Sequence, residues 1–250
     1  MITHLEADSD PVSDDPSSDQ PVKKQSPSRR RKDLKELDDC IDLLGGRLTD
    51  LEFLARRIKA GERPKEAVNE IIEQSASEIM KMYLFSTDER KWSAEQAWLL
   101  IKNLGSLREG ETLRYNEILL DDIFKPAGEH VLQALEQAEL ISIVSSESGR
   151  PSAIKPGKPV YQPAFRMLSN DVVLRARLDL AILNTQLKGA TADIDKYENE
   201  LHMLSELPKQ PPQLMPRVNW LLAKLLSSQA KVEQIEKEMG ELKKVLGKEY

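Results

Sequence analysis

The chain has 250 residues, of which 31% are charged and only 5% aromatic, and its formal net charge is −6. That balance suits helices with narrow apolar stripes better than a broad sheet core, so an extended, mainly α architecture of one or two domains is expected. The single cysteine, Cys40, excludes an internal disulfide, and no apolar run approaches the roughly 18 to 20 residues that a membrane-spanning helix needs.

Residues 1–32 read as a disordered linker. The first 22 hold Glu6, Asp8, Asp10, Asp14, Asp15 and Asp19 and no Lys or Arg, which does not fit a cleavable targeting signal. Ser9 to Ser28 are rich in Ser, Pro and Asp, and the composition turns basic at KKQSPSRRRK, Lys23 to Lys32. Such a segment buries too little apolar surface to offset its ordering entropy. The basic run reads as a solvated charge run neutralised by the acids before it, with phosphate or anionic lipid as the alternative contact.

A helical period takes over at Asp33. Leu34, Leu37, Ile41 and Leu44 recur at steps of three and four and stop at Gly45 and Gly46. Cys40 sits among these apolar positions and reads as a buried structural thiol. Paired glycine costs roughly 1 kcal/mol per residue against alanine inside a helix, so the pair marks a junction. Thr49 is expected to cap a helix over Asp50 to Ala60, with Gly61 as its stop. Pro64 opens the next helix, which runs to about Leu84. Residues 33–85 therefore form a three-helix unit.

The next unit, 91–168, opens at KWSAEQAWLLIKNL, where Ser93 caps a helix with Ala97, Trp98 and Ile101 on one face. LRYNEILLDDIF and GEHVLQALEQAEL predict two more helices. ISIVSSESGRPSAIKPGKPVYQPAF then predicts an extended run, a turn at Gly149 and Pro151, and a second extended run. Three helices and a hairpin in that order match a winged helix-turn-helix.

The unit 170–250 has the plainest pattern. Val173, Ala176, Leu180, Leu183, Leu187, Ala190, Ile194, Tyr197, Leu201 and Leu204 alternate steps of three and four. LPKQPPQLMP interrupts the pattern, and Val218, Leu221, Leu225, Ser228, Val232, Ile235, Met239, Leu242 and Leu246 resume it. Two heptad helices around a proline loop predict an antiparallel coiled-coil hairpin.

A helical Gly-Gly-Arg corner before a winged helix suggests the lid of a P-loop ATPase, but no G-x-x-x-x-G-K-[ST] follows or precedes it. Gly157-Lys158 is followed by Pro159 and lacks the upstream glycine. ILLDD, Ile118 to Asp122, imitates the acidic strand end of such a site while lying in a helical pattern. His4, His130 and His202 fall in three separate units and, with one cysteine, make no zinc spacing. No catalytic residue, metal site or cofactor site is expected in the chain, and so no enzyme activity. The third helix of the winged-helix unit, Gly128 to Leu140, carries Glu129, Glu136 and Glu139 and no Lys or Arg, a charge that repels phosphate. Arg150, Lys155 and Lys158 on the wing offer only a weak footprint, so protein docking is expected over sequence-specific DNA binding.

The runs ELDDCIDLLGGRLTDLEFLARRIKAG, EIIEQSASEIMKMYL, LRYNEILL, LQALEQAELISIV, IKPGKPVY and KYENEL through LPKQPP resemble the C-terminal region of the fungal mitochondrial escape protein 2 family. The resemblance covers Arg31 to Tyr250. It implies a mitochondrial inner-membrane protein with an RNA-recognition domain facing the matrix, one membrane span, and a C-terminal region in the intermembrane space that includes an ATPase-like domain. The implied role is maintenance of the mitochondrial genome, of nucleoid structure and number, and of limits on mitochondrial DNA escape, with a part in RNA maturation. The chain then corresponds to the segment after the ATPase core, with ATP as a ligand of the full-length protein only. Under this resemblance Arg47 is the candidate nucleotide-sensing residue of a lid; the alternative is that it pairs with Asp50 or Glu52. RNA, the membrane and the ATPase domain are implied as upstream partners, alongside protein partners of this segment. The competing function is a stand-alone winged-helix nucleic-acid-binding protein or a coiled-coil scaffold.

Overall fold

The computed structural model describes residues 27–85, 90–108, 110–125, 127–207 and 214–247, with the backbone alone over 27–34. It is mainly helical with one small antiparallel sheet. Most of the expected linker, 1–26, lies outside the described residues. Helix α1, however, runs Pro27–Leu44 and so begins ahead of the expected start at Asp33. Proline at a first helical position loses no needed hydrogen bond, and the Arg and Lys that follow are good helix formers.

Helices α2 (Leu48–Lys59) and α3 (Pro64–Ile79) pack with α1, burying Cys40, Leu44, Leu54, Val68 and Ile71. Burial, followed by the neighbouring Glu36 carboxylate, pushes the Cys40 thiol above its ordinary pKa. Arg47, not Thr49, occupies the cap position of α2, and no side chain caps this helix. The turn is already closed by backbone bonds from Asp50 and Leu51 to the Arg47 carbonyl, 3.1 and 3.0 Å, which leaves Thr49 inside the first turn. Pro64 stands at the start of α3 as expected, and the helix passes into a single π turn over Met80–Leu84.

Helix α4 (Ala94–Ser106) starts on a capping box in which Ser93 and Gln96 satisfy each other's backbone N–H groups. The segment expected as one helix, Leu113 to Phe124, is three short elements: strand β1 (Leu113–Arg114), α5 (Tyr115–Leu120) and a 3-10 turn over Asp122–Phe124. Asp121 divides the last two, its carboxylate accepting from Ile123 N at 3.0 Å. Helix α6 (Gly128–Gln137) leads into β2 (Ile141–Ser145) and β3 (Pro151–Pro156). The sheet order is β1-β3-β2, with Leu113 opposite Ile154 and Ile143 opposite Ile154 on the other side.

The second extended run ends earlier than expected, because Tyr161–Asn170 is a helix, α7. Pro163 falls in its first turn, where its missing N–H has no helical partner to lose. Helix α7 crosses α4 closely: a Cβ on Gly105 would lie 2.9 Å from the backbone of Phe165. One apolar cluster, centred on Trp98, Tyr83, Phe124 and Phe165, runs without a break from Cys40 to Ile182.

Two long helices complete the chain, α8 (Val172–Ser205) and α9 (Met215–Leu246), each about 50 Å long at 1.5 Å per residue. They run antiparallel. Arg217 pairs with Glu200 at 2.7 Å, Trp220 meets Tyr197 edge-on at 6.1 Å, and Leu183 packs with Ile235 and Met239. Every position of the heptad pattern on both helices is buried or half-buried. Helix α8 also has a second apolar row, Leu174, Leu178 and Ile182, which joins the main cluster.

Candidate functional site

The Gly-Gly-Arg corner is built by the backbone. Leu44 is fully buried at the end of α1, and the Gly45 N–H closes the helix onto Ile41 O and Asp42 O at 3.1 and 3.0 Å. Gly45 and Gly46 then take φ of +64° and +71°, the left-handed region where a Cβ is strained. Gly45 carries a further constraint, since a Cβ there would lie 2.3 Å from Pro159 Cγ. The first glycine is therefore a contact with the loop between β3 and α7 as well as a turn.

Arg47 follows in extended backbone (φ −68°, ψ 121°) and is exposed. Among the described residues it forms no ion pair, so the expected alternative partners Asp50 and Glu52 do not hold it. Asp50 instead turns inward: its Oδ2 is buried with no hydrogen-bond partner. Arg57, by contrast, pairs with Glu62 at 3.0 Å, contacts Glu70, and lies 4.8 Å over the Phe53 ring.

Beside the corner, the end of α1, the sheet and the start of α7 enclose an open cleft of about 410 Å³, lined among others by Asp42, Glu111, Ser142, Lys155 and Gln162. Gln162 fixes one wall by donating to Leu104 O and Leu107 O at 2.7 and 3.2 Å at the end of α4, where Leu107 N and Arg166 also donate to these carbonyls.

Two acids of this segment, Glu136 on α6 and Glu139 just after it, have structural partners that periodicity alone does not reveal. Glu136 accepts from Ile143 N at 2.8 Å and thereby occupies a donor on the edge strand β2. Glu139 adopts φ +63° and pairs with Lys158 at 3.1 Å. Burial pulls the Lys158 pKa down, but hydrogen bonds with Tyr161 and Glu139 outweigh it and leave the ammonium above its ordinary value. Lys158 also sits 5.1 Å over the Tyr161 ring. Of the three cations expected on the hairpin, Lys158 is thus engaged, while Arg150 and Lys155 are exposed.

The other sequence candidates are dispersed. His130 lies on α6 and His202 on α8, while His4 lies outside the described residues. Ile118 to Leu120 end α5, Asp121 is the cap between the two elements and Asp122 begins the 3-10 turn, so this run is not a strand. For a nucleotide, the fit rests on Arg47 and the turn it opens. Its exposed guanidinium, without an ion pair among the described residues, suits a phosphate, and Arg47 stands at the cap position of α2, directly before that helix's first backbone N–H groups, which no side chain caps.

The sequence profile of the RNA12 protein family matches residues 1–207. The chain is 59% identical over its whole length to mitochondrial escape protein 2 of Phaeosphaeria nodorum, covering 30% of that protein. It is 55% identical to the protein of the same name from Aspergillus niger, over 87% of this chain and 26% of the relative. With that of Chaetomium globosum it shares 49% identity over its full length, again about a third of the relative, 31%. The chain thus spans under a third of the length of these relatives. No solved structure matches it. A profile match over most of the chain, joined to about half or more of the residues shared with each of these proteins, makes it a member of the RNA12 protein family, related to the fungal mitochondrial escape proteins 2.

Proposed function

We propose that the chain is a regulatory and interaction segment of a mitochondrial inner-membrane, ATPase-like protein that maintains the mitochondrial genome, sustains nucleoid structure and number, and limits escape of mitochondrial DNA. In this reading residues 33–85 are a lid-like subdomain, 91–168 a winged-helix domain used for protein docking, and 170–250 a coiled-coil hairpin, all on the intermembrane-space side. The chain itself binds no cofactor and catalyses nothing. ATP, RNA and the membrane span belong to other parts of the full-length protein. The names of the relatives support the mitochondrial assignment.

The observation that carries the lid reading is the pairing of an exposed, unengaged Arg47 with a corner whose Gly45 packs on Pro159. A phosphate held against Arg47 by a neighbouring domain would load the corner. Displacement of the corner would press on the loop that leads into α7, and α7 packs on both α4 and α8. Nucleotide state would thereby reach the long hairpin through rigid helices. A stand-alone DNA-reading function is disfavoured because α6 has no cation and Lys158 is engaged by Glu139.

The test is Arg47→Ala in the full-length protein, with nucleoid number and mitochondrial DNA escape as readouts. Loss of nucleoid control with an unchanged melting curve is expected, and wild-type behaviour overturns the lid reading. Calorimetric titration of the 250-residue chain with Mg-ATP is expected to show no saturable heat, and a specific micromolar site refutes the assignment of nucleotide binding to another domain.

A further inference from the structure

The main apolar cluster and the cluster of the α8–α9 arm meet on α8 at adjacent residues, Ile182 in the first and Leu183 in the second. They do not merge. Between them lies an open cleft of about 270 Å³, walled by α4, α8 and α9. Its apolar lining is Ile182 and Leu183 together with Leu99 of α4 and Leu242 of α9. Leu99 is half-buried against the main cluster and Leu242 against the arm cluster, so the cleft is an unfilled gap between the two.

The charge of this cleft is one-sided. Lys102 and Asp179 both line it and satisfy each other at 2.8 Å, while Arg175, which does not line it, approaches Asp179 at 3.6 Å. The other charged side chains of the lining are Glu238 and Glu241, both exposed on α9 and three residues apart, on one face of the helix. Neither has an ion pair among the described residues, and Glu238 accepts from the neutral Gln234 Nε2 at 3.0 Å. An apolar floor and a rim with two surplus carboxylates thus belong to a single cleft.

We propose that this cleft is a docking site for a basic amphipathic helix of a protein partner. Its volume falls below the roughly 300 to 1,000 Å³ of small-molecule sites, so it suits side-chain anchors better than a whole ligand. Apolar anchors spaced at i and i+3 or i+4 fill the gap, and Lys or Arg beside them meets Glu238 and Glu241. Charge complementarity selects the occupant, since an acidic helix would set like charges against that rim. A helix seated there touches α4, α8 and α9 at once, joins the two apolar clusters and fixes the arm against the body. The proposal does not depend on the lid reading of Arg47.

The test is methyl NMR of the full chain, labelled at Leu and Ile, titrated with a synthetic Leu/Lys amphipathic helix. A Leu/Glu helix of the same pattern and polylysine are the comparison probes. Saturable shifts at Leu99, Ile182, Leu183 and Leu242 are expected with the Leu/Lys helix and with neither comparison probe. Glu238→Lys with Glu241→Lys is expected to weaken binding by about tenfold while leaving melting unchanged, because two exposed pairs are lost. Glu238→Gln with Glu241→Gln is expected to weaken it by less. The proposal is overturned if the Leu/Lys helix leaves these methyls unmoved, or if the charge reversal leaves its affinity unchanged. It is also overturned if polylysine shifts the same methyls as strongly, which assigns the effect to charge alone. Shifts of these methyls on concentrating the chain without peptide overturn it in favour of a second copy.

Discussion

Asp179 of α8 accepts from Trp98 Nε1 at 2.8 Å and from Lys102 Nζ at 2.8 and 2.9 Å, both on α4. Trp98 is fully buried, the Asp179 side chain is 14% exposed, and Arg175 approaches it at 3.6 Å. One carboxylate thus satisfies the indole at the centre of the main core and holds the root of the arm. Asp179→Ala leaves a buried donor and a half-buried ammonium unpaired, with an expected cost of about 2 to 3 kcal/mol. Asp179→Asn keeps an acceptor for Trp98 and is expected to lose roughly half as much. Chemical denaturation checks both, and equal losses in the two variants refute a role for the indole bond.

The corner gives a paired test in adjacent residues. Gly46→Ala meets no atom within 4 Å, so its cost is the left-handed backbone alone, about 1 kcal/mol. Gly45→Ala adds the collision with Pro159 and is expected to cost about 2 to 4 kcal/mol in total. Pro159→Ala in the same chain is expected to recover part of the difference for Gly45→Ala and none for Gly46→Ala. Melting curves of the four proteins decide the matter.

How much of this was legible follows from the kind of signal. The long helices carry their apolar spacing over some thirty residues each, and the seam from Val173 to Leu246 coincides with the shielded positions. The capping box at Ser93 is equally local, since donor and acceptor lie three residues apart. Helix α7 was hidden because Pro163 and the extended residues before it look like the end of a strand, and only packing on α4 fixes the start of that helix. Strand β1 has two residues, too few for periodicity, and exists because Leu113 and Arg114 meet Ile154 and Ala153 from a distant segment. The second apolar row of α8 was masked by the heptad pattern laid over it. At the candidate site, the glycine pair announced a corner, whereas Pro159 as the reason for Gly45, and the inward turn of Asp50 that leaves Arg47 free, are tertiary facts with no local signal.

Glu139 is the non-glycine residue at positive φ among those described, and it occupies the position after α6 where glycine is favoured. Its pairing with Lys158 is on a side chain that is 62% exposed, which limits the worth of that pair. Relief of the backbone should win, so Glu139→Gly is expected to stabilise the chain by about 0.5 to 1 kcal/mol. Glu139→Ala retains the strained backbone, loses the pair and is expected to destabilise slightly. A shift of both variants in the same direction on thermal melting counts against this ordering.

Asp122 links the 3-10 turn to α9, since Lys231 reaches its carboxylate at 2.9 Å and Lys125 at 3.0 Å. The hydrogen bond from Lys231, then that from Lys125, lowers its pKa from the usual 3.8. A carboxyl with a depressed folded value contributes stability that is fully present above the unfolded value and is lost as pH falls through the folded one. Acidification below about pH 4 is therefore expected to free α9 from the body at this point. With Asp122 57% and Lys231 49% exposed, solvent screening holds the contribution to within about 0.5 kcal/mol. Hydrogen exchange across Lys231 should rise below that pH in wild type and be insensitive to it in Asp122→Asn; a pH response retained by the variant removes Asp122 as its cause.

The separation of the two apolar clusters sets the last expectation. Helix α9 contributes no residue to the cluster that runs from Cys40 to Ile182, and the apolar cluster formed by its Ile235, Met239 and Leu242 is with Leu180, Leu183 and Leu187 of α8. Midway along the hairpin the packing thins: Gly189 and Ala190 border a cleft of about 240 Å³ that also reaches Asp122 and Lys231. Proline inside a helix removes a hydrogen bond and clashes with the preceding turn, at about 3 kcal/mol or more. Leu225 is half-buried on the seam beyond this thin region, so Leu225→Pro should unwind α9 from its start toward Lys231. The outer half of α8 then loses its cover at Ile194, Tyr197 and Leu201. Its inner half stays anchored through Leu174, Leu178, Ile182 and Asp179. Hydrogen exchange is expected to show lost protection over 190–230 and native protection over 40–182. Global loss of protection in Leu225→Pro would mean that the arm and body fold as one cooperative unit, and that α9 stabilises the core through contacts stronger than its side-chain packing implies.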